Sequence, residues 1–153
     1  MDFHAPIGKK KAAGLLSLST AAMLLGLGYF QFRQKPLNPA LLRVADDLKK
    51  MEAEFNNFKN QNGAYPNNTP TGQTPQGMEK VGEYFKNPTP IGGSYDWEGP
   101  ESWGFAGIAI QQPTHGVAGL LELDQLIDDG KLYTGKFRFQ HNSYIWIIQE
   151  KSS

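Results

Sequence analysis

Three histidines, fifteen acidic residues and no cysteine are the raw material for any chemistry in this 153-residue chain. His4, His115 and His141 lie far apart, and none has a second His or a carboxylate at ligand spacing, so no transition-metal site is expected. Without cysteine there is no disulfide framework, thiol nucleophile or thiolate metal site. No G-x-S-x-G elbow, phosphate-binding glycine loop or H-E-x-x-H pair occurs. The adjacent acids Asp46 and Asp47 fall on the polar face of a predicted helix, where exposed charge is the ordinary state. The chain is therefore not expected to be an enzyme, and no cofactor is implied. One cluster remains. Tyr95, Trp97 and Trp103, with Asp96, Glu98 and Glu101, form an aromatic and acidic patch that a sugar, peptide or partner protein could use. Aromatics closing the edge of a thin core explain the same residues, and ordinary burial statistics favour that account.

The element that must position everything else is the uncharged run from Ala12 to Phe32, directly behind Lys9, Lys10 and Lys11. As a helix, 21 residues span about 31 Å, close to the hydrocarbon thickness of a bilayer. Lipid is the natural surrounding for such a run, because a helix satisfies its own backbone. The expected organisation is a basic cytoplasmic leader over 1–11, a transmembrane helix over 12–32 and one domain over 33–153. The run exceeds a secretory h-region and no A-x-A site closes it, so a retained anchor is expected over a cleaved signal peptide. The lysines place the N-terminus in the cytoplasm and the domain across the membrane.

The formal net charge of zero averages two unlike pieces. Met1 to Lys35 carries five Lys/Arg against one acid, a net of +4, and Pro36 to Ser153 carries ten against fourteen, a net of −4. No basic patch suggests nucleic acid.

Behind Asn38 as N-cap and Pro39 in the first turn, Leu41, Val44, Leu48, Met51, Phe55 and Phe58 recur at steps of three and four. That spacing predicts an amphipathic helix with one buried stripe, stopped at Asn62-Gly63. A short helix is predicted over Met78 to Phe85, and strands over Ser94 to Trp97 and Gly104 to Gln111. A helix is predicted over Val117 to Asp129, with Leu120, Leu123 or Asp124, and Ile127 on one face and Gly130 as its end. Lys131 to Phe139 and Tyr144 to Gln149 then form a hairpin. Both faces of the last strand are apolar, so it should be central or covered on its outer side.

Several of these stretches resemble one family. The basic run, Gly14 and the hydrophobic helix resemble the N-terminus of a type IV pilin-like prepilin. That resemblance implies cleavage after Gly14, with Leu15 as the first mature residue and Gly28 and Pro36 at helix-loosening positions. Leu15 stands where Phe is usual. Ser19 stands where major pilins carry a Glu that pairs with a neighbouring amino terminus. The phrase FKNQNGAYP matches the helix-end pattern of type II secretion major pseudopilins at Phe58, Gly63, Tyr65 and Pro66. TPIGGSYDWE with GFAGIAI, and IDDGKLYTGKFRF, are similar to later parts of pseudopilin-like proteins. The resemblance implies a pilin-like α+β fold, a long N-terminal helix packed on a small antiparallel sheet. It implies a bacterial inner-membrane protein with a periplasmic or extracellular domain, whose partners are other pilin-like subunits or secretion and pilus machinery. Major pseudopilins commonly hold calcium in a C-terminal loop, and here Asp124, Asp128 and Asp129 would be the oxygen ligands. Asp128-Asp129 sits at a helix end before Gly130 and lacks the spacing of an EF-type series, so a solvated helix terminus is expected rather than a calcium site. The rival expectation is a single-pass envelope-binding module using the Tyr95/Trp97/Trp103 patch.

Overall fold

The computed structural model describes Met1 and residues 36–150. The predicted membrane helix, Gly14, Leu15 and Ser19 lie outside the described residues. No helix among the described residues is long and apolar enough to cross a membrane. The chain divides into two units, Met1–Pro36 and Leu37–Ser153, and the following concerns the second.

Helix α1, Pro39–Asn62, starts and stops where its sequence directs. The Asn38 side chain accepts the Ala40 N–H at 3.0 Å, satisfying one of the orphan donors of the first turn. Gly63 closes the other end at φ +81°, a left-handed conformation natural to glycine, and its N–H donates to the Lys59 carbonyl at 2.7 Å. Leu41, Val44, Leu48, Met51 and Phe55 are fully buried, and Phe58 packs half-buried at the margin. Burying each such side chain contributes about 1.5–3 kcal/mol. The exposed Lys50–Asp46 pair on the same helix, 2.6 Å long, is screened by solvent and adds little beside that burial. Packing against the sheet therefore dominates the helix's stability.

That sheet has four antiparallel strands: β1 (Ser94–Glu98), β2 (Phe105–Gln111), β3 (Phe137–Gln140) and β4 (Ser143–Glu150), in the order β1-β2-β4-β3. A long helix on a small antiparallel sheet is the α+β architecture implied by the pilin resemblance. Strand β4 is central, as its two apolar faces predict. Register sets Trp97, Ile108, Trp146 and Phe137 in one row across the four strands, facing α1. The opposite face carries a second small cluster of Phe105, Ala109, Ile145 and Ile147. Helix α1 is fastened to the far side of the sheet by Glu52. Its carboxylate accepts the Trp146 indole N–H at 2.8 Å and pairs with Lys136 at 2.8 Å.

Some boundaries differ from expectation. Met78 to Phe85 becomes a single 3-10 turn, Glu79–Val81, running into the short helix α2, Gly82–Lys86. A one-turn helix, α3 (Pro100–Trp103), interrupts β1 and β2 with Pro at its start and Gly104 at φ +76° after it. Helix α4 covers Val117–Ile127, two residues short of prediction, because Asp128 leaves helical geometry at φ −147° and ψ −140° after its N–H makes the last helical bond, to the Asp124 carbonyl. Lys131 to Lys136 forms turns rather than strand: Asp129 captures the Lys131 N–H, and the Thr134 N–H donates to the Lys131 carbonyl. His141 and Asn142, at φ +49° and +61°, make the tight two-residue turn between β3 and β4.

Phe55 and Trp97 stack with centroids 3.7 Å apart and planes within 8°. The Trp97 indole N–H donates to the Pro66 carbonyl at 3.1 Å. Trp97→Phe retains a ring for the stack but strands that carbonyl, and should cost about 1–3 kcal/mol in chemical denaturation. Trp97→Ala should cost about 3–5 kcal/mol, through a cavity at the centre of the core.

Candidate functional site

Of the two accounts of Tyr95, Trp97 and Trp103, the surface patch does not form, and the favoured account of core aromatics holds for the first two. Alternation along β1 turns Tyr95 and Trp97 inward, where they are 1% and 0% exposed. Trp103 is 52% exposed, on α3 beyond the end of β1. Its indole stacks on His141 with centroids 4.0 Å apart, and His141 in turn lies over Phe105 at 6.2 Å. The acids of the supposed patch have separated roles. Asp96 accepts hydrogen bonds from Thr71 (2.8 Å) and Gln111 (3.2 Å), while Glu101 accepts the Asn68 N–H. Glu98 accepts the Trp103 indole N–H at 3.0 Å.

Burial holds the Glu98 carboxyl above its ordinary 4.5, and neighbouring Asp96 adds to the shift. The folded protein therefore binds this proton more tightly than the unfolded chain does. Its contribution to stability falls as pH rises through the raised titration. Glu98→Gln keeps an acceptor for Trp103 and removes the charge. The variant should be more stable than wild type at neutral pH, with the difference vanishing below about pH 4.5 in denaturation profiles.

Asp124, within α4, and Asp128 and Asp129, just beyond its end, come together; Asp129 is exposed, as a solvated terminus predicts, whereas Asp124 is buried. One carboxylate oxygen from each of Asp124, Asp128 and Asp129 lies within 4.8 Å of the others. Asp124 is 0% exposed because it occupies a core-facing position of α4 beside Leu120 and Leu123. Burial holds its carboxyl above the usual carboxylate range, opposed by the Gly130 N–H. These carboxylates shape the loop. Gly130 N–H donates to Asp124 (3.3 Å), Lys131 N–H to Asp129 (2.9 Å) and Phe137 N–H to Asp128 (2.8 Å). Gly135, at φ +73°, passes so close that a Cβ would lie 2.0 Å from Asp128 Oδ2.

The loop donors leave Asp124 Oδ2 buried without a hydrogen-bond partner. An orphaned, desolvated carboxylate oxygen beside two more carboxylates fits a hard cation that prefers oxygen, and calcium suits it better than a nitrogen- or sulfur-seeking metal. Asp124, Asp128 and Asp129 would hold it. Calcium is expected to raise the unfolding temperature of the protein saturably, and Asp124→Asn to remove that response, in thermal melts with and without chelator.

Other constellations of the described residues show no nucleophile held by a base. His115 shares a 3.2 Å hydrogen bond with Asn38, and His141 is stacked on Trp103. The Ser143 hydroxyl donates to Gln111. A cleft of about 620 Å³ at the end of α1 is lined by Phe58, Asn62, Tyr65, Asn67, Asn68 and Gln76 among others, with no charged side chain. Tyr65 and Pro66 form part of its wall, Gly63 ends the helix beside it, and all three act structurally. The Tyr65 hydroxyl donates to Asn56 at 2.7 Å, and Pro66 receives the Trp97 indole.

No protein-family model matches the chain, and no curated protein sequence matches it. Among solved structures, the chain is similar to the major type IV pilin PilA1 from Clostridium difficile, at 18% identity over 72% of this chain and 95% of that one, with a TM-score of 0.47.

Proposed function

We propose that this chain is a membrane-anchored, pilin-like structural subunit of a type II secretion or type IV pilus-like assembly. The reading rests on one continuity. A basic leader and an uncharged run of membrane-spanning length come first. Only a few residues later begins a 24-residue helix that buries a single stripe on its own sheet. The Gly63-Ala64-Tyr65-Pro66 exit from that helix ties its end to the core through Trp97, which gives the pseudopilin-like motif a physical role. On this reading Lys9, Lys10 and Lys11 face the cytoplasm of a bacterial inner membrane. The domain stands in the periplasm or outside the cell, and the partners are membrane, sibling subunits and assembly machinery. The envelope-binding alternative loses its basis, because two of its three aromatic residues are core.

Ser19 sets the mode of assembly. A free amino terminus at Leu15, buried among neighbouring helices, would lack the carboxylate that pairs with it in major pilins, and an unpaired buried charge is costly. A minor or initiating position, needing few such contacts, suits the sequence better than a filament body. Intact mass of the protein made with and without a prepilin peptidase decides the matter. A peptidase-dependent start at Leu15 is expected. A Met1 start under both conditions would remove the chain from the processed-subunit pathway.

A further inference from the structure

Asp46 and Asp47 are adjacent in sequence but not in environment. Asp46 is exposed and pairs with Lys50, whereas Asp47 is 8% exposed. The expectation that both acids lie on the solvated face is therefore corrected. Position 47 follows Val44 by three residues, at the border of the buried stripe. Its Oδ2 accepts the Tyr95 hydroxyl at 3.2 Å, and among the described residues no cation forms an ion pair with it. Burial holds its carboxyl above the usual range, opposed chiefly by the Tyr95 bond and then by Arg43. A desolvated carboxylate with one neutral donor destabilises a fold relative to a neutral side chain of the same shape. Nothing in the packing of α1 on the sheet asks for a charge there.

Asp47 opens onto a cleft of about 300 Å³, whose other walls include Arg43, Glu83, Tyr84, Pro90 and Tyr95. Tyr84 and Tyr95 meet edge to face, with centroids 6.4 Å apart. Glu83 is already engaged, by Lys86 at 3.6 Å and by the Asn87 amide at 3.2 Å. Arg43, one helical turn before Asp47, is exposed and stands outside ion-pair distance. The desolvated charge without an ion pair is that of Asp47; Arg43, on the same cleft, also forms no ion pair among the described residues but keeps its solvent.

We propose that this cleft binds an alkylammonium group, with Asp47 as its counter-ion, the half-buried Tyr84 ring as its aromatic wall and the phenol oxygen of the buried Tyr95 beside the carboxylate. An ammonium supplies a compact charge and several donors, which one carboxylate and a phenol oxygen can accept. A ring face adds attraction for a cation, and an aliphatic stem gains from contact with Tyr84 and Pro90. The same chemistry is presented by a lysine side chain of a partner protein and by a free polyamine. The site does not depend on the assembly reading above.

The full chain, in detergent micelles, would be titrated with Nα-acetyl-lysine methylamide, with its neutral norleucine counterpart and with putrescine, following residue-resolved NMR shifts. Saturable shifts at Asp47, Tyr84 and Tyr95 are expected with the amines and not with the norleucine compound. Asp47→Asn, which still accepts the Tyr95 hydroxyl, should weaken binding at least tenfold. Tighter binding of putrescine would assign the site to free amines, and tighter binding of the lysine compound to a partner's side chain. Either supports the ammonium site. Equal shifts with the norleucine compound, silence with both amines, or undiminished binding by Asp47→Asn would each overturn it. The wild-type comparison of charged and neutral probes holds whether or not the variant folds.

Discussion

The domain depends on one contact, the stack of Phe55 on Trp97. Phe55 is on the last two turns of α1 and Trp97 is on an edge strand, so the stack is the point where helix and sheet become one core. Two further constraints converge on the same ring. Phe85 meets Phe55 edge to face at 6.2 Å, bringing in α2, and Pro66 accepts the Trp97 indole N–H, bringing in the chain that leaves α1. A buried indole N–H needs an acceptor, and a carbonyl preceding a turn-rich segment needs a donor. One hydrogen bond meets both needs and fixes the direction in which the polar stretch after Pro66 departs. Glu52 does comparable work at the other edge, where Trp146 and Lys136 share its carboxylate and Lys136 also lies 4.4 Å over the Trp146 ring.

Much of this was legible in residue order. The three-and-four spacing from Leu41 to Phe55 placed α1 on the sheet, with Asn38, Pro39 and Gly63 marking its ends. The two apolar faces of Tyr144 to Ile148 placed β4 in the middle. Of the two accounts of Tyr95, Trp97 and Trp103, the favoured one, aromatics of the core, holds for Tyr95 and Trp97. Residues 95 and 97 are two apart and share one face of a strand, while 96 and 98 share the other. What local pattern could not supply was the covering of that other face. Phe105, Ala109 and Ile145 come together only through the pairing of β1 with β2 and of β2 with β4, contacts distant in sequence.

Acidic residues are usually exposed, and that prior outweighed helical position at 47, whereas at the apolar face of α4 the spacing left Leu123 and Asp124 as alternatives and both are buried. Asp124 follows Leu120 by four and Leu123 by one, inside the apolar arc of α4, and Asp47 follows Val44 by three in α1. Periodicity pointed inward in each case, and residue type pointed outward. The structure sides with periodicity because backbone and hydroxyl donors meet the buried oxygens: Gly130 for Asp124 and Tyr95 for Asp47. A single donor is thin compensation for a desolvated carboxylate.

The two buried aspartates differ in what they contribute to the fold, and the difference separates scaffold from site. Asp124 belongs to a set. With Asp128 and Asp129 it captures the backbone donors of Gly130, Phe137 and Lys131, so the carboxylates replace the ladder that a longer β3 would have provided. They also explain why strand pairing starts only at Phe137. Removing the set would free the connection between α4 and the hairpin. Asp47 organises no loop and captures no backbone donor, and its one bond is to a tyrosine already locked by packing. A neutral side chain of similar shape would serve α1 equally well. The charge at position 47 is therefore explained by what enters the cleft beside it, and the charges at 124, 128 and 129 by the loop they hold together with the cation that the orphaned Asp124 oxygen fits.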